Sequence, residues 1–258
     1  ADRVVVLGDD MRDRVVAKGY RHPERIQVIP NWVDTRRIRP HTGANSFRQQ
    51  HKLDGCFLVM FSGNVGLSQG LERVLDVASD FATDDRVRFV FVGEGAAKAS
   101  LMEHARTRRL TNTLFVPYQP KESLSMSLSA ADIHLVPLQQ GVAGLIVPSK
   151  VYGIMAVGRP FIAAIDEHSH PAQIIREHRC GLRVAPDSPA ELKRALDWAL
   201  NHPDELREMG ERGREAVVKY FDRPISVGKF RSMIDALRPH GREFVAENQR
   251  DAANQIAY

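Results

Sequence analysis

Residues 144–160 read Gly-Leu-Ile-Val-Pro-Ser-Lys-Val-Tyr-Gly-Ile-Met-Ala-Val-Gly-Arg-Pro, and this stretch carries the strongest chemical signal in the chain. A glycine loop runs into Pro148-Ser149-Lys150, a short helical run follows, and Gly158-Arg159-Pro160 stops it before an apolar strand. At such a helix start the backbone N–H groups near Ser149 to Val151 have no partner within the helix. With the Lys150 ammonium beside them they suit a doubly charged diphosphate, because dipole, donors and cation act on one anion. An ordinary capped crossover helix is the alternative that the local sequence also allows.

Other reactive residues carry less. Asp166-Glu167-His168-Ser169-His170 packs two carboxylates and two imidazoles into five residues. No third ligand stands at a recognisable spacing, so a solvated loop is expected there and no metal site. Residues 92–98, Val-Gly-Glu-Gly-Ala-Ala-Lys, hold two glycines of a dinucleotide fingerprint but lack the third, so NAD binding is not expected. His134 alternates within an apolar strand and reads as a core histidine, while Arg106, Arg108 and Arg109 read as a solvated helix face. No Ser-His-Asp or Cys-His arrangement with a local signature occurs, and no catalytic residue is assigned.

These residues must be positioned by an alternating scaffold. Residues 58–61 form an apolar strand ending in Ser62-Gly63-Asn64-Val65-Gly66, and Leu71, Val74, Leu75 and Ala78 then recur at helical spacing. The unit repeats with strands predicted at 87–92, 114–116, 133–136, 161–165 and 182–185. Ser188-Pro189-Ala190-Glu191 opens the last of these helices as a capping box with Pro at the first helical position. Six short apolar strands separated by helices predict an α/β fold, a Rossmann-like doubly wound parallel sheet. Ligands bind such sheets beyond the carboxyl ends of the strands, where strand order reverses. The first 34 residues form a separate strand-helix-strand unit, too small to sustain a core alone. Residues 224–237 predict a packing helix, and 239–258 a polar tail.

Composition bounds the partners. The 258 residues are 43% apolar and 26% charged, enough to bury a core of ordinary size. Lys plus Arg number 36 against 32 Asp plus Glu, a mild basic excess suited to anionic substrates and leaving room for peripheral contact with an anionic inner membrane face. Nucleic acid is not an expected partner, because no compact basic and aromatic patch appears. Cys56 and Cys180 each border an apolar run and are expected to be buried thiols of a reducing compartment. With no apolar run of about 20 residues and no signal-peptide profile, the expected location is cytoplasmic. The chain starts without Met and almost at once on a strand, so a fragment of a longer protein is expected.

The order of these segments resembles the nucleotide-sugar-binding C-terminal half of two-domain, GT-B type glycosyltransferases, the bacterial "group one" (family four) enzymes of O-antigen, capsule, lipopolysaccharide and exopolysaccharide synthesis. The resemblance runs from Ile-Pro-Asn-Trp-Val-Asp at 29–34, through 62–70, 92–95 and Ala-Ala-Asp-Ile at 130–133, to Pro-Ser-Lys at 148–150. It implies that residues 1–34 are the remnant of an acceptor domain and that 35–238 form the donor domain. The implied activity is transfer of a sugar from a nucleoside diphosphate sugar, UDP-linked rather than GDP-linked, to a saccharide or lipid-linked acceptor held partly by the missing domain. No metal and no further cofactor are implied. A non-catalytic nucleotide-sugar-binding module is the alternative.

Carried over by position, the resemblance points to Gly63, Asn64 and Gln69 in the first glycine loop. Asn64 and Gln69 stand where the family usually has basic residues that reach the diphosphate. The turn at Tyr118, with Glu122 nearby, would meet the base. Gly144 would allow close approach of the backbone to the donor, and Ser149, Lys150 and Val151 would hold the diphosphate. The family's paired glutamates are absent, their places being taken by Leu145 and Gly153.

Overall fold

The computed structural model describes residues 1–237, so the expected tail at 239–258 lies outside the described residues. A small parallel pair, β1 (Val4–Val6) and β2 (Ile26–Val28), is joined by α1 (Asp9–Ala17). The remainder is built on six parallel strands: β3 (Phe57–Ser62), β4 (Val87–Val92), β5 (Thr113–Val116), β6 (Ile133–Pro137), β7 (Phe161–Ala164) and β8 (Gly181–Val184). Their order is β5-β4-β3-β6-β7-β8. The chain winds outward from β3 through β4 to β5, then returns to β6 on the other side of β3 and winds outward again. The doubly wound parallel sheet expected from the alternating pattern is the fold observed, and the reversal lies between β3 and β6.

Burial on both faces explains why these strands read as unbroken apolar runs. Val59 and Phe61 of β3, Phe89 and Phe91 of β4, and Ile133 and Leu135 of β6 point to one core. There they meet α3 (Leu71–Asp80), α4 (Lys98–Thr107) and α8 (Pro189–Asn201). The alternate residues face the other side, where β6 and β7 meet α6 (Lys150–Ala156), α7 (His170–His178) and α9 (Pro203–Tyr220). Leu58 and Met60 there pack on α2 (Ser46–Gln50) and the segment after α5 (Leu124–Ser129). The last described helix, α10 (Arg223–Ala236), buries only Ser226.

Two ties fix the segments that flank the sheet. Residues 33–38 are held by α9 and the start of α10: Val33 N–H donates to Phe221 O (3.1 Å), Arg223 N–H donates to Val33 O (2.9 Å), and Arg214 donates to the carbonyls of Thr35, Ile38 and Ala156. At the opposite end of the sheet, Arg48 of α2 donates to the carbonyls of Leu53, Cys56 and Ala130 and to Asp132 Oδ2 (2.7 Å). Asp132 Oδ2 also accepts from Leu58 N–H (2.7 Å). Removing that carboxylate takes the acceptor from Arg48 Nη2, in a largely buried guanidinium that keeps its three carbonyl partners, and from the Leu58 strand N–H, so Asp132→Ala is expected to destabilise by about 2–3 kcal/mol. Asp132→Asn, which keeps an acceptor, should lose less, and chemical denaturation of the two variants checks the order.

Some expectations are corrected. Cys180 is buried, with its thiol pushed up to about 12 by that burial, but Cys56 is only half-buried because it precedes β3 at the sheet's rim. Among the described residues no helix is long and apolar enough to cross a membrane.

Candidate functional site

Every strand of a parallel sheet ends on the same side, and the loops leaving β3, β5 and β6 enclose a cleft of about 590 Å³ there. It lies over the β3/β6 reversal. Ser62 and Gly63 at the end of β3, Leu138 after β6, and Pro148, Ser149 and Lys150 at the start of α6 all line it.

The glycine loop is shaped by two backbone positions that exclude a side chain. Gly63 and Gly93 both have φ of +142°, and a Cβ built on Gly93 would lie 1.9 Å from the carbonyl oxygen of Gly63. The loops after β3 and β4 are thus in direct backbone contact. Gly63 N–H donates to Val92 O (2.9 Å), and the loop is braced further on, where Gln69 Oε1 accepts from Gly66 N–H (3.0 Å). Gly63 also faces α6: a Cβ there would be 3.3 Å from both Cε and Nζ of Lys150.

Lys150 is the electrostatic centre of the cleft. Its Nζ lies 3.6 Å from the centroid of the Phe61 ring, a cation–π contact, and has no hydrogen-bond partner among the described residues. Burial pushes its ammonium down from the usual lysine range to about 7. An uncompensated ammonium at the wall of a cleft is set to gain from any anion that enters. The surrounding fold explains its position. Phe61 is the penultimate residue of β3 and buried, Gly63 leaves space above it, and α6 is seated by Val151, Tyr152, Ile154 and Met155, all buried.

Of the residues singled out from sequence, the structure brings Gly63, Asn64, Gln69, Tyr118, Ser149 and Lys150 to this cleft. Tyr118 is 53% exposed at its rim, its hydroxyl near Glu94 O (3.4 Å). Glu122 does not line the cleft; it lies exposed in the 3-10 turn before α5. Val151 points into the core, and its N–H already donates to Pro148 O (3.3 Å), so the start of α6 offers fewer open donors than the sequence suggested.

Gly144 is placed elsewhere for a tertiary reason. A Cβ on it would meet Asp10 O at 2.8 Å, and neighbouring Ala143 O accepts from Arg14 (3.1 Å), so this glycine loop approaches α1 closely. The same helix reshapes the histidine segment. His170 is buried rather than solvated: its ring reaches Tyr152 Oη (3.1 Å), and its backbone N–H donates to Asp10 Oδ2 (3.0 Å). His168 is exposed beside Glu167. The two imidazoles therefore serve different surroundings. His134 is a core histidine as expected, Nε2 lying 2.9 Å from Leu128 O, and burial holds it down to about 4.

Sequence reasoning missed the apolar side of the cleft. Val33 and Ile38 of the linker, Leu124 and Leu128 of α5, and Ile154 of α6 all line it. α5 reads Leu-Ser-Met-Ser-Leu-Ser, too short and too rich in serine to show a helical period. The spacing of Leu124 and Leu128, four apart on one face, was the available signal.

Comparison with known proteins agrees with this geometry. The model of the family described as "Glycosyl transferases group 1" matches residues 44–216. Similar proteins include a probable glycosyltransferase, WbjE, of Pseudomonas aeruginosa, 29% identical over 92% of this chain and 58% of its own length. Another is a putative colanic acid biosynthesis glycosyl transferase, WcaI, of Escherichia coli K12, 31% identical over 85% of this chain and 56% of its own. The chain thus spans a little over half the length of these curated relatives. Among solved structures, HepE of Anabaena in complex with UDP and glucose superimposes with a TM-score of 0.79 at 16% identity, covering 92% of this chain and 64% of that one, a likeness of fold. The match over residues 44–216 takes in the six-stranded sheet and all of the cleft's lining but Trp32, Val33 and Ile38, and the chain belongs to the group 1 glycosyltransferases.

Proposed function

We propose that this chain is the donor-binding half of a glycosyltransferase that takes a sugar from a nucleoside diphosphate sugar, UDP-linked in preference to GDP-linked. The acceptor is a growing surface polysaccharide or a lipid-linked saccharide, engaged largely by a domain preceding residue 34. The observation that carries this reading is Lys150, whose buried ammonium has no hydrogen-bond partner among the described residues and lines a cleft at the strand-order reversal. The solved neighbour HepE, also seen in complex with UDP-glucose, and the colanic acid relative support the choice of substrate class.

Chemically, Lys150 would face the charge that develops on the diphosphate as the sugar–oxygen bond breaks. Buried against the Phe61 ring at the wall of the cleft, such a fixed cation stabilises the leaving group more than the same charge would in solvent. Asn64, Ser149 and Gln69 add neutral polar groups on the same side. Binding the anion favours the ammonium over the neutral amine, so the complex takes up a proton near neutral pH. Calorimetric titration with UDP, GDP and ADP should show UDP binding most tightly. With Lys150 titrating at about 7 in the free chain, affinity should fall by roughly tenfold per pH unit above that value. Absence of binding by all three nucleotides would refute the donor site. A flat profile from pH 6 to 9 would remove Lys150 from it.

A further inference from the structure

The loop after β6 forms one wall of the cleft and belongs to no helix or strand. Ile146 and Val147 line the cleft, while Leu145 N–H (3.0 Å) and Ile146 N–H (3.2 Å) both donate to Val142 O within the loop. At its start Gln139 N–H donates to Ser68 O (2.9 Å). Among the described residues, one hydrogen bond reaches residues 140–147 from another segment: Arg14 Nη1 donates to Ala143 O (3.1 Å).

Arg14 belongs to α1, in the small unit at the start of the chain. It stands four residues after Asp10, so both side chains leave one face of that helix, and this face lies against the half built on the six-stranded sheet. Asp10 Oδ2 accepts from His170 N–H (3.0 Å) in the first turn of α7, and a Cβ on Gly8 would be 2.7 Å from His170 Cβ. On the loop side, a Cβ on Gly144 would be 2.8 Å from Asp10 O. No residue of α1 is buried, so directed hydrogen bonds rather than apolar area hold this contact. The Ala143 carbonyl is the one acceptor that the Arg14 guanidinium finds among the described residues, its Nε being buried without a partner. A charge-assisted bond to a loop with so few other ties sets where that loop lies.

We propose that Arg14 is a positioning residue of the cleft: through Ala143 it sets the wall that carries Ile146 and Val147, so that nucleotide affinity depends on α1 being seated. Arg14 itself does not line the cleft. The inference rests on the donor-site reading above and adds to it a residue of the small unit.

The test compares Arg14→Met, Arg14→Lys and Gly144→Ala in the full 258-residue chain. Methionine removes the donors and lysine keeps one. The alanine alters no charge but, at φ +70° and pressed on Asp10 O, parts the same contact from the loop's side. Hydrogen exchange at Leu145 and Ile146 and calorimetric titration with UDP are read for each. In Arg14→Met and Gly144→Ala the two amides should exchange about tenfold faster and UDP should bind about tenfold more weakly, with Arg14→Lys within about threefold of the unsubstituted chain. Exchange in β3 and β4 should stay as it was, since a general loss of stability would quicken those strands too. Equal quickening there, or unchanged exchange at Leu145 and Ile146, would overturn the inference. So would UDP affinity that is unchanged in Arg14→Met, or that falls in Arg14→Met but not in Gly144→Ala, which would mark the loss of a charge; in both cases the donor site stands. Silence from UDP in the unsubstituted chain would refute the donor site and this inference together. Should Arg14→Met fail to fold, Gly144→Ala puts the same question.

Discussion

Lys150→Met should raise the melting temperature of the free chain and, in the same variant, abolish the stabilisation that a nucleoside diphosphate confers. The two effects have one cause. The Lys150 ammonium is buried with no hydrogen-bond partner among the described residues, and burial lowers it from the ordinary 10.5 to about 7. In the unfolded chain the amine keeps its ordinary affinity for a proton. Below pH 7 it is charged in both states, and folding bears the whole cost of burying the charge. Between pH 7 and 10.5 the folded chain holds a neutral amine while the unfolded one is still charged, so the cost shrinks as pH rises and vanishes above 10.5. At neutral pH a methionine of similar length removes a penalty of about 2–4 kcal/mol, which for a chain of this size is roughly 5–10 °C. Thermal scans at pH 7 and pH 10 with and without UDP check both halves. The variant's advantage should narrow at pH 10, and UDP should move only the unsubstituted chain. A variant that melts no higher at pH 7 would mean that the ammonium is compensated; one still stabilised by UDP would mean that the anion binds elsewhere.

Gly93→Ala is expected to be the most damaging single-methyl addition near the cleft. Its Cβ would stand 1.9 Å from Gly63 O, and φ at Gly93 is +142°, a conformation that alanine rarely adopts. Neither obstacle is a flexible side chain, so the loops after β3 and β4 must separate. That breaks the contact beneath Gly63, and with it the space that receives Lys150. A loss of about 3–5 kcal/mol is expected from combined clash and backbone strain. Gly153→Ala serves as the counterpart: in mid-helix with ordinary contact to Leu128, it should stabilise by about 0.5–1 kcal/mol through a less flexible unfolded chain. Denaturant titration of the two separates backbone approach from glycine content as such. Equal stability of Gly93→Ala and the unsubstituted chain would show that the two loops do not touch.

Much of the site was legible because its signals are local. Pro148-Ser149-Lys150 ahead of an apolar run marks a helix start with a cation, and Ser62-Gly63 after an apolar strand marks a loop that can approach a ligand. The residues placed wrongly were those whose partners are distant in sequence. Gly144 was read as an approach for a ligand, yet it faces Asp10 and Arg14, about 130 positions away. His170 was read as solvated, yet α1 and Tyr152 cover it. Glu122 lies near the cleft in sequence but projects from an exposed turn. Short α2 and α5 escaped notice because five or six residues cannot display a 3.6-residue period.

Alternating apolar runs and helical stripes, each readable within a dozen residues, determined the parallel doubly wound sheet, since strands buried on both faces and joined by helices admit few other arrangements. They also determined that the glycine-ended loops gather at one end of it. What the tertiary structure alone decided was the electrostatic state of Lys150 and the character of the wall beside it. Whether an ammonium is solvated, paired or stranded on a phenylalanine ring depends on which segments far apart in sequence surround it, and burial is a property of that packing rather than of any residue's neighbours along the chain.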